Sequence, residues 1–431
     1  MIEIDHTAVP LPEPATPVLA SYLLNIEEKQ RTRFSARGDK IRSGCNEIDD
    51  HMLGGGFERG ILVGISAEAG EGRLISLHLL SFILISHLSF SLAESSQPPK
   101  TRATIIDTTG SFPITLLAKI LKAQILDTKT KTARQSIDDG NYAVFNNTVN
   151  EKEADDQVRR CLEMVAISRV FDIEGLWEVL GEVGKSSDSG AADDESMSDE
   201  DGVEIVIIDN MTHLINELFA RKERSEAHTL LTTLSRALHT LTHTRNILTV
   251  LHNKTVSSIS KTYETDPSIE ERYPQRRNKP NQNPQSTSVF PSNQLKPALG
   301  QIFSQLPDLH LLVSALPKTR GDAQQHYGQE DDADFRTGSG IKEVQFCNVI
   351  EVLKDETPNL GSQTEEERYQ RKFGGREQRW AAVEVSADGL ALVDTFMAKG
   401  NMRGLGLERE KGRTGDVGSV AKLYGFGGRR V

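Results

Sequence analysis

The sequence predicts an α/β fold built on a mainly parallel sheet. Three observations predict it. First, four short runs are apolar nearly throughout: Ile61 to Ser66, Ala103 to Asp107 (ATIID), Val203 to Asp209 (VEIVIID) and Asn246 to Leu251 (NILTVL). Continuous apolar runs, rather than alternating ones, suit strands covered on both faces. Second, helical stretches separate these runs, and strands alternating with helices imply parallel pairing. Third, the period changes near the C-terminus. Lys342 to Leu353 and Trp380 to Val393 read as strands, and the second holds an Asp388-Gly389 turn between apolar residues. That is a hairpin signal, so an antiparallel edge is expected on the parallel sheet.

Residues 1–40 form an arm, Pro-rich at first, with a short apolar helix candidate from Val18 to Ile26. It is too short for an independent domain. The core is expected over 41–395. The run Leu74 to Ala93 (LISLHLLSFILISHLSFSLA) is uncharged and long enough to span a membrane. However, it carries His78, His87 and five serines and follows a Gly-containing loop directly, so it reads as a helix buried against a sheet. No membrane partner is expected. Further helices are expected over Ile114 to Leu126 and over much of Glu217 to Arg245.

Three stretches stand outside this pattern. Lys185 to Gly202 carries seven acids against one Lys and reads as a disordered insertion. Within it, Ser198 precedes Asp199, Glu200 and Asp201, a setting for acid-directed phosphorylation, although a solvated linker explains the composition as well. A second insertion, about 257–293, is polar and locally basic, with Arg272, Arg276, Arg277 and Lys279. Residues 396–431 form a Gly/Arg-rich tail, also expected to be disordered.

Bulk properties narrow the class. The net charge of −12 argues against attraction of the whole surface to nucleic acid, so any polyanion contact must be local. Cys45, Cys161 and Cys347 are few and far apart, with no metal or disulfide spacing. The N-terminal residues lack the basic and apolar regions of a secretory signal.

The most informative segment is IRSGCNEIDDHMLGGGFERGILVGISAEAGEGRL, residues 41–74. A Gly-rich turn, a short strand, a second Gly-containing loop and a long helix follow one another. This is the layout of a phosphate-binding P-loop, G-x-x-x-x-G-K-[ST]. On that pattern the candidate loop is Ala67, Glu68, Ala69, Gly70, Glu71, Gly72, Arg73 and Leu74. Only Gly72 matches its signature position. Arg73 keeps a cation where Lys belongs, but a planar and bulkier one. Leu74 offers no oxygen to magnesium. Glu68 and Glu71 bring carboxylates close to where phosphates would lie. Asp209 ends a buried strand, where P-loop enzymes hold magnesium, although a helix N-cap would explain the same residue.

Several blocks, in order, resemble the RecA-like recombinases, in their eukaryotic strand-exchange branch and its paralogues. SGCNEIDDHMLGGGFERGILVGI resembles the family's approach to its P-loop. IIDTTGSF resembles I-D-T-E-G-[ST]-F, IVIIDNMTHL resembles its Walker B strand, and LTVLHNKTV resembles the strand that senses the γ-phosphate. LKPALGQIFSQLPDLHLLVS resembles a late K-P-A-L-G segment of the paralogues, and VEVSADGL resembles the last strands. The resemblance spans roughly 41–395. It implies a RecA-like P-loop NTPase core, ATP as the nucleotide, and a hetero-oligomer with recombinase and paralogue subunits on DNA in the nucleus.

The departures from the family pattern lie at its chemical positions. Thr109 stands where the family has the Glu that activates water, and a threonine is no carboxylate base. Losing a positioned general base costs on the order of 10²–10⁴ in rate. The sensor-like pair is Asn253 and Lys254, where the family has Gln at the second position. With Arg73 and Leu74, these changes imply impaired hydrolysis, and they leave both ATP binding and a magnesium site open. The basic insertion occupies the place of the family's second DNA-binding loop, which makes Arg272, Arg276, Arg277 and Lys279 the candidate DNA contacts. Two alternatives stand beside a recombination-repair paralogue. One is an active DNA-dependent ATPase of the same family. The other is a RecA-like pseudo-ATPase subunit of an Elongator-type complex that modifies transfer RNA.

Overall fold

The computed structural model describes residues 19–25, 40–68, 70–91, 99–138, 151–185, 202–257, 288–290, 293–327, 343–357 and 379–396. Both insertions are outside these residues almost entirely, as are the tail and most of the arm. Within the arm, residues 20–25 form a short helix, α1, and Leu19, Tyr22, Leu23 and Leu24 are exposed.

The core begins with a small antiparallel pair, β1 (Lys40–Ile41) and β2 (Phe57–Glu58), joined through a π-helical turn at Glu47–Met52. This is where the first resemblance block lies, and its residues are structural. Asp49 is buried and accepts hydrogen bonds from the Ser43 N–H (2.9 Å), the Ser43 hydroxyl (2.9 Å) and the Gly44 N–H (3.0 Å). The Gly triplet is required by its backbone. Gly54, Gly55 and Gly56 have φ of 63°, 122° and 118°, and a Cβ on Gly56 would lie 2.6 Å from the Ile41 carbonyl oxygen.

The main sheet follows. Its parallel strands are β3 (Leu62–Ala67), β4 (Ala103–Asp107), β5 (Val165–Arg169), β6 (Ile205–Asp209), β7 (Leu248–Ser257) and β9 (Leu309–Pro317). They run in the order β9-β3-β7-β6-β4-β5. β10 (Phe346–Asp355), β11 (Trp380–Val385) and β12 (Leu392–Asp394) extend the sheet beyond β9, all antiparallel, and β8 (Leu295–Pro297) pairs with β7. The α/β architecture expected from the sequence, a mainly parallel sheet covered on both faces, is therefore present, including the antiparallel C-terminal hairpin. Gly389 turns that hairpin at φ 74°.

Both faces of the sheet are covered, which is why its strands read as unbroken apolar runs. Along β6, Ile205 and Ile207 point to one face, with α2 (Glu71–Ser91), α3 (Ile114–Asp138) and α4 (Glu151–Glu163). Val206 and Ile208 point to the other, with α5 (Ile173–Lys185), α6 (Met211–Arg221) and α7 (Arg224–Arg245). Two short helices complete the described core, α8 (Gln301–Ser304) and α9 (Arg320–Tyr327). The serine- and histidine-bearing run after the loop is α2, with Leu77, Leu79, Leu80 and Leu84 fully buried. Among the described residues, no helix is long and apolar enough to cross a membrane.

The structure departs from the expected elements at several points, among them the sheet and the helices beside it. The helix expected over Glu217 to Arg245 is two helices, parted where Glu223 turns extended (φ −61°, ψ 148°). No Gly or Pro marks that break. β5 and β9 were not expected as strands. β5 is an edge strand and half exposed, so it lacks the apolar run of its neighbours.

Candidate functional site

The loop after β3, the C-terminal end of β6 and the C-terminal half of β7 meet in one cleft. Ala67, Glu68, Gly70, Gly72, Arg73, Asp209, Asn210, His252, Asn253 and Lys254 line it. Strand register brings them together: Ser66 pairs with Asn253, Ala67 with Lys254, and Asp107 with Asp209. The described loop and sensor positions in this lining thus fall at the carboxyl ends of the parallel strands, where open α/β sheets bind ligands. Ala69 lies outside the described residues, and of Glu71 only the backbone is described, as the first residue of α2. Arg272, Arg276, Arg277 and Lys279 are outside them too.

Arg73 and Asp209 decide the chemistry of this cleft. The Arg73 Nε lies 2.7 Å from Oδ2 of Asp209, whose side chain is 2% exposed. The contact is ionic rather than a well-directed hydrogen bond, because the buried Oδ2 accepts none. The guanidinium is held from its other side by Ser111, through the hydroxyl (2.9 Å) and the carbonyl (3.3 Å). Arg73 therefore neutralises the one carboxylate in the place expected for magnesium. The alternative reading of Asp209 as a helix cap fails: α6 is capped by Asn210, whose side chain accepts from the His213 N–H (3.1 Å). A cis peptide joins Asp209 to Asn210.

The remaining signature positions have structural duties. Leu74 is 7% exposed and packs in the core with Ile75 and Leu77, so even its backbone position directs the side chain away from the cleft. Gly72 keeps α2 close to the sheet. A Cβ there would lie 2.9 Å from both the Ala67 Cβ and the Ile65 Cγ2. Thr109 does not replace a base. Its N–H (3.0 Å) and hydroxyl (3.3 Å) donate to Asp107, and its hydroxyl also meets that of Ser111 (2.7 Å). Asp107 gathers the whole turn, accepting as well from Gly110 (2.8 Å), Ser111 (3.3 Å) and Phe112 (3.0 Å). Burial pushes the pKa of this carboxyl up, but the four backbone donors outweigh that and leave it below its ordinary value.

The sensor-like Asn253 is locked. It donates to the Ser66 hydroxyl (2.9 Å) and accepts from the Thr212 hydroxyl (2.7 Å), and is 3% exposed. Lys254 is anchored by its backbone N–H to Thr212 (2.9 Å), with an exposed side chain. His252 was not singled out from the sequence, since one histidine in an apolar strand reads as a core residue. It is buried, meets the Ser76 hydroxyl through Nε2 (2.8 Å), and is pushed down to about 4 by burial. Nearby Asp209 pulls it the other way without prevailing. It is therefore a neutral prop under the loop at neutral pH.

These residues fit a magnesium–nucleotide poorly. Magnesium asks for carboxylate or hydroxyl oxygens, yet Asp209 is paired and Leu74 is turned into the core. The cleft itself holds about 40 Å³, space for a few water molecules. No protein-family model matches the chain, and no curated protein does. Among solved structures, a crystal structure of the RadB recombinase is similar. The two share 13% identity at a TM-score of 0.41, over 82% of this chain and 99% of that one.

Proposed function

We propose that this chain is a non-hydrolysing RecA-like subunit of a nuclear homologous-recombination assembly, of the paralogue kind. Its partners in this reading are recombinase-type subunits and DNA. The ordered sequence blocks support the recombination assignment. The Arg73–Asp209 pair supports the loss of hydrolysis and is the single observation that carries it. An arginine on the metal-holding acid supplies the neutralising charge internally, so the scaffold is complete without a cation or a phosphate. What remains of the ancestral machine is its shape, a rigid sheet that presents loops to neighbours and to nucleic acid. In this reading Arg272, Arg276, Arg277 and Lys279, on the segment that joins β7 to β8, contact DNA phosphates. Each such contact adds to a salt-dependent affinity.

The test has two arms. ATP turnover by the full-length chain, with and without single-stranded DNA, should equal that of an Asp209→Ala control. Turnover that DNA stimulates and Asp209→Ala abolishes would refute the non-hydrolysing assignment. Affinity capture from nuclei after DNA damage should recover recombinase-type subunits. Recovery instead of a hetero-hexameric ring that binds transfer RNA would refute the recombination assignment.

A further inference from the structure

The opposite end of β3 carries a group of side chains that the cleft does not use. His239 and His243 stand four residues apart near the C-terminal end of α7, and so share one face of that helix. Their rings lie nearly parallel, 15° between planes, with centroids 6.1 Å apart. Asp308, just before β9, faces them: its Oδ1 lies 3.7 Å from the His239 Nδ1. One nitrogen from each histidine and one oxygen from Asp308 all lie within 4.8 Å of one another.

We propose that His239, His243 and Asp308 form a binding site for a divalent transition metal of the zinc class. The donor set decides the class. Two imidazoles and one carboxylate suit zinc, cobalt, nickel or copper, whereas magnesium and calcium ask for oxygens. Zinc–ligand bonds of about 2.0–2.2 Å place tetrahedral donors about 3.4 Å apart. The His239–Asp308 pair at 3.7 Å is already near that spacing, and the set, within 4.8 Å, would draw together on an ion.

The donors are held in advance. Asp308 is fixed to β3 twice: its Oδ2 accepts from the Leu62 N–H (2.8 Å), and its own N–H donates to the Leu62 carbonyl (2.9 Å). That leaves Oδ1 turned to the helix. The histidines stand in the last turns of α7, and a helix C-terminus favours a cation. Two nearby cations are engaged elsewhere. Arg245 donates to the Gly184 carbonyl, and Lys354 bonds the Pro307 carbonyl (2.9 Å) and Glu356 (2.9 Å). Three protein ligands leave a fourth position for water. The ion would tie α7 to the start of β3, and this holds whether or not the cleft proves inactive.

Chelator-stripped, full-length protein titrated with zinc by calorimetry should bind one ion at this site. Cobalt(II) should give the visible absorption of a tetrahedral nitrogen–oxygen site. His243 is exposed, so His243→Ala should fold normally while weakening binding at least tenfold and removing the cobalt spectrum. Asp308→Asn keeps an oxygen for Leu62 and should weaken binding as well. No binding at micromolar zinc, or binding that both variants leave unchanged, would overturn the site.

Discussion

Two acids stand at opposite ends of β6, and each is buried beside an arginine. Glu204, just before the strand, meets Arg59 Nη1 at 2.7 Å and also the His87 ring. Asp209, at its end, has Arg73. The first group ties the approach to β3, helix α2 and β6 together, in a place where no ligand chemistry is expected. The second sits in the cleft, with one cation and an oxygen that accepts no directed hydrogen bond. The difference teaches how one kind of acid–arginine tie serves two settings. Arg73 gives the cleft the same kind of tie that Arg59 gives the far end of the strand. It does so closer to solvent: the Arg73 side chain is 23% exposed and that of Arg59 12%.

Variants can break or sharpen this contrast. The largest effect is expected at the more buried end, that of Glu204. Glu204→Gln strips the counter-charge from Arg59, whose side chain is only 12% exposed, and should cost about 3–5 kcal/mol in urea unfolding. Acid titration addresses the same residue. Burial drives the Glu204 carboxyl upward, but the His87 hydrogen bond and the Arg59 charge prevail and hold it at about 2, against an ordinary 4.5. A lowered folded value stabilises above the ordinary value and is lost as pH falls toward the folded one. Stability should therefore fall by about 3 kcal/mol between roughly pH 4.5 and 2, and that slope should vanish in Glu204→Gln.

At the cleft end the effects are smaller. Arg73→Ala leaves Asp209 buried and unpaired, but Arg73 is 23% exposed, so water shares the loss, and about 2 kcal/mol is expected. A double-mutant cycle with Asp209→Ala should give a coupling of about 1 kcal/mol. A coupling near zero would mean the pair is incidental. Smallest is the effect of Arg73→Lys on nucleotide: fluorescent ATP should gain little affinity, since Leu74 still faces the core and Asp107 still closes the Thr109 turn. Tight, magnesium-dependent binding by that variant would show that Arg73 alone disarms the site.

Much of this was legible beforehand, for identifiable reasons. β4 coincides with the ATIID run, because a strand buried on both faces must be apolar throughout. The hairpin at Gly389 was marked by its own turn chemistry. β5 was not legible, since an edge strand exposed on one side carries no such run. Nor was the break at Glu223, where an extended polar residue does what Gly or Pro would advertise. In the cleft, Gly72, Arg73 and Asp209 could be named from spacing alone. Their contact could not, and neither could the parts played by His252, Ser76 and Thr212, which serve only through neighbours distant in the chain.

The sequence by itself determined the layered α/β core, the order of its strands and helices along the chain, and which signature groups are missing from the P-loop pattern. Those are local properties, written in apolar period, turn residues and side-chain type. The tertiary structure alone decided that Arg73 and Asp209 neutralise each other, and that two histidines of α7 share a corner with Asp308. Charge pairing depends on distances between separate strands and helices, and only the registered sheet sets those distances.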